Sequence, residues 1–261
     1  MTLAELRARF VQDGRPLPRA LEAELRKNPR TSISALLKAI DSRRTGNRRE
    51  GQRLRGMLQF EQALWKQGLT LVAGIDEAGM SPLAGPVAAG AVVLKPGTRL
   101  PGVDDSKKLS EKERESLAPI IREAALACAV AFVEPEEIDR INIYRAGLLA
   151  MQRAVGALQV TPQHLLIDGR NLKELPIPQL RLIGGDGRSL SIAAASILAK
   201  TARDARMRAY DVSYPGYGFA RHKGYGTGEH VRAISRLGLT PIHRRSFEPV
   251  RRIELDSAKS G

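Results

Sequence analysis

The 261-residue chain holds a single cysteine, Cys128. One thiol excludes a disulfide framework and a zinc site built on cysteines, and it suits a reducing, cytoplasmic setting. Long apolar stretches are missing too. The longest uncharged run, Ala78 to Leu94, covers 17 residues and is broken by Pro82 and Pro86, too short and too interrupted for a membrane span. The opening MTLAELRARF carries an acid and no apolar core, so no secretory signal is expected there. Acidic residues are in deficit: 28 Asp and Glu stand against 42 Lys and Arg, a formal charge of +14. At 43% hydrophobic and 27% charged, the chain can bury a real core, so wholesale disorder is excluded.

A positive surplus of this size points to a polyanionic partner, because neutralising phosphates releases counterions. Arginine outnumbers lysine 31 to 11; this suits bidentate phosphate contact, and a GC-rich genome produces the same bias. Residues 1–70 hold 15 basic and 7 acidic residues, a surplus of 8, so most of the excess sits in about a quarter of the chain.

That first part reads as short helices. PLPRALEAELRKN stops at Asn28-Pro29, Thr31 or Ser32 can cap SISALLKAI, and MLQFEQALWKQ stops at Gly68. Between them Arg43–Arg55 (RRTGNRREGQRLR) reads as a polar basic linker. We expect residues 1–68 to form a basic helical N-terminal extension, serving either as a solvated appendage or as an auxiliary nucleic-acid grip. From Leu71 the texture changes. LVAGID, GPVAAGAVVL, AFVEP, HLLIDG and QLRLIGGD read as strands. Ser110–Ala131, Glu136–Leu158 and SLSIAAASILAKTARDARMRAYD read as helices, the first opened by a Ser110/Glu113 capping box. This alternation predicts an α/β domain with a central sheet over residues 69–250, followed by a short polar tail, 251–261.

Asp76-Glu77, Asp168 and Asp186 each follow an apolar strand and border glycine. Carboxylates at strand ends converge at one edge of a sheet, where ligands of α/β folds bind. Crowded acids raise each other's pKa, and divalent cations would keep them ionised. Oxygen donors without cysteine point to Mg²⁺ or Mn²⁺ rather than zinc, and two such ions in a carboxylate site suit phosphodiester hydrolysis. The same spacing also fits acids acting as caps and turn formers. Adjacent strand residues face opposite ways, so Asp76 and Glu77 share a site only where the strand ends or bends. GGDGRS lacks the Gly-Lys-Ser/Thr of a nucleotide P-loop, and Ser196 has no evident His–Asp relay.

AGIDEAGMSPLAGPVAAGAVVL, DSKKLSEKERE, IDG, GGDGRSLSIAAASILAKTARD and YPGYGFARHKGYGTGEHVRAISRLGLTPIHRRSFEPV resemble, in order, the signature blocks of bacterial ribonuclease HII over about residues 71–250. NPRTSISALL resembles part of the helical extension of some members. The resemblance implies an RNase H-like fold, a central mixed sheet flanked by helices, with a small all-α extension. It also implies a metal-dependent endonuclease that hydrolyses the RNA strand of RNA–DNA hybrids and cuts 5′ to ribonucleotides embedded in duplex DNA, leaving 3′-hydroxyl and 5′-phosphate ends. Asp76, Glu77, Asp168 and Asp186 match the family's four metal-binding acids. Two divalent ions, Mg²⁺ or Mn²⁺, and a monomer without membrane association are expected.

Gly79-Met80-Ser81 stands where the family has Gly-Arg-Gly, a loop that in relatives senses the 2′-hydroxyl of the junction ribonucleotide largely through backbone groups. Ser81 takes a place that glycine's freedom would serve, and Gly184 stands where lysine is common. These departures keep a second reading open: a hybrid-binding protein with weak or altered catalysis. Tyr225 in HKGYGT matches the tyrosine that packs on the sugar beside the ribonucleotide; alone it would read as partly buried packing. Lys107 and Lys108 precede a helix start that attracts phosphate, or form a solvated pair. Lys200, a candidate substrate-binding residue, shares a helix with Arg203 and Asp204, and its i,i+4 spacing to Asp204 also fits a surface ion pair. His222, His230 and His243 are too scattered for zinc; with Arg244 and Arg245 they line a phosphate path or lie in structural loops.

Overall fold

In the computed structural model, which describes residues 1–259, the chain divides into two units, Met1–Arg55 and the remainder from Gly56. In the first, α1 (Leu3–Arg7) opens on a Thr2/Glu5 capping box and continues through a π-helical turn (Ala8–Gln12). Helix α2 (Arg19–Arg26) and the long α3 (Thr31–Met57) follow. Leu6, Phe10, Leu36 and Ile40 form the interior of this unit. Glu22 joins the helices, accepting from Arg26 and Arg44 at 2.7 and 2.8 Å. The expected linker at Arg43–Arg55 is instead helical, part of α3. Its residues are mostly strong helix formers, the Glu50–Arg53 pair spans one turn at 2.7 Å, and the cost of Gly46 and Gly51 is about 1 kcal/mol each.

The second unit begins with α4 (Gln59–Trp65). Strands β1 (Val72–Ala78) and β2 (Val87–Leu94), helix α5 (Glu111–Ala124) and strand β3 (Ala125–Val133) come next. Then follow α6 (Pro135–Ile141), α7 (Ile143–Gly156), β4 (His164–Asp168), β5 (Gln179–Leu182) and α8 (Leu190–Ser213). The unit closes with α9 (Phe219–His222), α10 (Gly228–Leu237) and α11 (Val250–Lys259). The sheet order is β3-β2-β1-β4-β5, with β2 antiparallel to β1 and β3, and β4 parallel to β1 and β5. This is the expected mixed sheet flanked by helices.

Three boundaries differ from the sequence reading. The helix from Ser110 ends at Ala124 rather than Ala131, because Ala125–Val133 pairs along the whole of β2, and sheet pairing overrides the helix preference of alanine. The helix expected over Glu136–Leu158 is split at Asn142, whose φ is +70° and whose side chain caps α7 by accepting from the Arg145 amide. The polar tail forms α11 through Lys259.

Strand pleating sorts the core. Ala73 and Ile75 of β1 join Leu165 and Ile167 of β4 in packing against α7 residues Ala150 and Met151. Val72 and Leu166 pack on Ile192 of α8, with Phe60, Leu64 and Trp65 of α4 against them. Helix α8 lies so close to the sheet that a Cβ at Gly74 would stand 2.2 Å from the Ser191 carbonyl carbon, and one at Gly90 would stand 2.3 Å from the Ala195 oxygen. Only glycine permits that seat. Among the described residues no helix is long and apolar enough to cross a membrane.

Candidate active site at the strand tips

Ile75 of β1 is paired with Ile167 of the parallel β4, so Asp76 and Asp168 end up side by side, one residue beyond. Asp186 reaches them from a 3₁₀ turn (Gly185–Gly187) between β5 and α8. Asp76, Asp168 and Asp186 each offer a carboxylate oxygen within 4.8 Å of the others. Glu77 lies outside that trio, as the alternation of a strand requires, but lines the same cleft as Asp76 and Asp168.

Local hydrogen bonds fix these carboxylates. Asp168 Oδ1 accepts from the Gly185 amide at 2.7 Å, which ties the β4 tip to the turn carrying Asp186. Asp76 Oδ1 accepts from the Glu77 amide at 2.8 Å and Asp186 Oδ1 from the Gly187 amide at 3.0 Å. The turn opens on Gly184, whose φ of +62° favours glycine, so the residue standing where lysine is common suits the backbone.

The electrostatics are those of crowded, partly buried acids. Burial, then the neighbouring Glu77 and Asp168, push the Asp76 carboxyl well up from its ordinary value, against a hydrogen bond from Ser196. Burial also raises Glu77, with Arg170 opposing and Asp168 adding to it. The Lys107 ammonium stands 3.1 Å from Asp186 Oδ2. Burial opposes its charge, yet the bond to Asp186 and the fields of Asp186 and Asp76 hold its pKa above the usual lysine value.

A cleft of about 410 Å³ collects most of the expected residues: Gly79, Met80, Ser81, Lys107, Lys200 and Tyr225 line it with Asp76, Glu77 and Asp168. Lys108 is absent from the lining, and its Nζ lies 3.1 Å from Asp104 Oδ1. Lys200 stands 5.6 Å from the centre of the Tyr225 ring, which is 41% exposed. In the 79–81 loop only Gly79 has positive φ, at +92°, so Ser81 carries no backbone strain. A Cβ at Gly79 would meet Arg203 Nε at 2.1 Å.

Several neighbours of the cleft were not legible in the sequence. The Lys200–Asp204 pair, read as a surface pair, is buried on the acid side: Asp204 is 2% exposed and also takes Arg114 Nη2 at 3.3 Å. Arg203 and Arg244 are fully buried. Arg244 donates to the carbonyls of Gly79, Met80 and Gly85, and Arg203 to those of Ala84, Pro86 and Lys223. These guanidinium groups brace the loop from beneath, so Arg244 does not line a phosphate path. The three histidines are buried too, at 9% exposure or less.

Hard oxygen donors, three within reach of one centre and none of them sulfur or nitrogen, fit a divalent cation of the magnesium type. Acids gathered on β1, at the end of β4 and in the turn before α8, in a mixed sheet flanked by helices, define a metal-dependent phosphodiester hydrolase with an RNase H-like fold. Comparison with known proteins narrows the class. Residues 73–250 match the family profile of ribonuclease HII, and the chain belongs to that family of endoribonucleases acting on RNA–DNA hybrids. It is 57% identical over 251 residues to the ribonuclease HII of Anaeromyxobacter sp. (strain Fw109-5), covering 96% of this chain and 80% of that one. It is likewise 57% identical over 250 residues to that of Myxococcus xanthus (strain DK1622), covering 95% and 85%. Among solved structures, ribonuclease H2 from Pyrococcus horikoshii OT3 superposes with a TM-score of 0.63 at 27% identity, covering 72% of this chain and 99% of that one. Ribonuclease HII in its PCNA complex from Archaeoglobus fulgidus gives 0.58 at 25% identity, covering 68% and 95%.

Proposed function

We propose that this endoribonuclease cuts on the 5′ side of ribonucleotides, single ones embedded in duplex DNA included, and leaves 3′-hydroxyl and 5′-phosphate ends. The observation that carries the reading is the convergence of Asp76, Asp168 and Asp186 within 4.8 Å, beside a cleft lined by the 79–81 loop and Tyr225. Asp76, Asp168 and Asp186, with Glu77 alongside, would hold Mg²⁺ or Mn²⁺. When bound, such ions activate water and stabilise the departing oxygen.

The chain's own groups do the rest. Lys107 and Lys200 attract the scissile strand's phosphates, and Lys107 balances the charge of Asp186 at 3.1 Å. The loop 79–81 presents main-chain groups to the 2′-hydroxyl, the atom that distinguishes RNA from DNA. Its departure at Met80 replaces a side chain while the backbone is held by Arg244. Tyr225 offers a flat face to the adjoining sugar. The basic N-terminal extension adds affinity through phosphate contacts without base readout.

A labelled DNA duplex with one ribonucleotide, incubated with each metal in turn, tests the reading. The expected product is a single cut 5′ to the ribonucleotide with a 3′-hydroxyl end. Cleavage of all-RNA tracts but not of this duplex would restrict the enzyme to hybrids.

A further inference from the structure

Three buried imidazoles lie behind the turn that carries Tyr225, and their hydrogen bonds have a direction that the main chain dictates. A peptide N–H can only donate. The Thr240 amide lies 2.9 Å from His243 Nδ1, with the Thr240 hydroxyl also at 2.9 Å, so His243 Nδ1 is unprotonated. The His243 proton therefore sits on Nε2, 3.1 Å from His230 Nε2. His230 must accept there, which places its own proton on Nδ1. That nitrogen is 3.0 Å from the Tyr225 carbonyl oxygen, which can only accept. The chain thus runs one way, from Thr240 N–H through His243 and His230 to Tyr225 C=O. His222 is fixed by the same rule: the Gly224 amide donates to its Nδ1 at 3.1 Å, leaving Nε2–H to donate to the Tyr217 carbonyl at 2.8 Å.

The turn they hold needs holding. Lys223 and Gly224 both have positive φ, +52° and +84°, a conformation that costs energy at lysine. The Leu83 amide donates to the Gly224 carbonyl at 2.8 Å, and a Cβ at Gly224 would stand 2.4 Å from the Ala84 oxygen. The turn is therefore pressed against the segment that follows the 79–81 loop.

We infer that His230 and His243 are positioning residues for the substrate-contacting tyrosine: their one-directional hydrogen-bond chain fixes the Tyr225 main chain so that its ring stands at the mouth of the acidic cleft, set for the sugar beside a ribonucleotide. The inference rests on the reading of Tyr225 given above. Burial keeps both rings neutral, with pKa values pushed down to about 4, and neutrality is what the directional chain requires.

Proton-detected ¹⁵N spectra of the whole wild-type protein test the chain directly. His243 and His222 are expected to carry their protons on Nε2 and His230 on Nδ1. The functional arm uses two substitutions that separate the ring nitrogens. H230N retains a donor near the Nδ1 position, and H230Q retains only a group near Nε2. On a single-ribonucleotide duplex H230Q is expected to raise KM about tenfold, the loss of roughly one positioning hydrogen bond, with kcat changed less; H230N should recover most of the loss. In a Y225A background the two substitutions should be equivalent. A protonated Nε2 on His230, or an H230Q effect of full size in the Y225A background, overturns the inference and leaves the reading of Tyr225 intact. A Y225A enzyme with wild-type KM overturns both.

Discussion

Removing the Glu61 carboxyl should loosen the helix that backs the acid cluster. Glu61, on α4, is fully buried. Its Oε1 accepts from the Ser189 hydroxyl at 2.6 Å, the Ser191 hydroxyl at 2.7 Å and the Ser191 amide at 3.0 Å. These groups open α8, three to five residues after Asp186. Substitution to alanine leaves three buried donors to find partners. The two hydroxyls lie 3.1 Å apart and can satisfy one another in part, so about two groups remain unmet. At about 1–3 kcal/mol each, E61A should cost about 4 kcal/mol, whereas E61Q, which keeps an acceptor oxygen, should cost about 1–2 kcal/mol. Trp65, the only tryptophan, packs against Val72, Leu166 and Ile192 at this interface and reports its unfolding by fluorescence. With a urea slope of about 3 kcal/mol per M, the E61A midpoint should fall by about 1.3 M. A midpoint within 0.2 M of wild type would refute the argument that this carboxyl anchors α8.

Gly74→Ala should cost about 3 kcal/mol or more, because its Cβ meets the α8 backbone rather than a side chain that could yield; wild-type thermal stability would show that α8 can retreat. Removing residues 1–55 should leave hybrid hydrolysis intact, weaken binding and make the salt dependence of affinity shallower, and an unchanged slope in a filter-binding titration would mark the segment as uninvolved. Removing residues 1–68 should instead prevent stable folding, since it takes Glu61, Phe60 and Leu64 from the interior of the second unit. Acid should destabilise the protein through His230 and His243: their folded pKa values are about 4, below the unfolded value of about 6.5, so the unfolded chain binds protons first as pH falls. Stability is full above pH 6.5 and declines toward pH 4, by about 2 kcal/mol per ring at pH 5; a double substitution of both rings that leaves the pH 5–7 slope unchanged would contradict this.

Much of the site was readable because its chemistry is local in sequence. An apolar strand that runs into an acid, met within β1 at Asp76 and at the end of β4 at Asp168, carries both the sheet position and the functional group. Register then does what sequence could not show: the Ile75–Ile167 pairing sets the two acids abreast. Glu77 illustrates the limit: strand alternation turns it away from the acid trio, yet it lines the same cleft. Tertiary contacts decided the misread segments. Ala125–Ala131 is helix-prone in isolation and is a strand because β2 lies beside it. Arg43–Arg55 has little apolar content, yet continues α3 through its own helix-forming side chains. Nothing near Glu61 marks it as buried, because its three donors lie 128 to 130 residues away. Likewise the histidines are spread through 22 residues of sequence and meet only when α10 and the following loop fold back on the Tyr225 turn.

The most direct measurement is the rate of hybrid cleavage against divalent-ion concentration, in wild type and in Asp76→Asn, with a chelator control. The acid trio predicts saturable dependence on Mg²⁺ or Mn²⁺, no activity with chelator, and a rate for Asp76→Asn lower by at least about a hundredfold. Cleavage that persists in chelator, or an Asp76→Asn enzyme as fast as wild type, would contradict it.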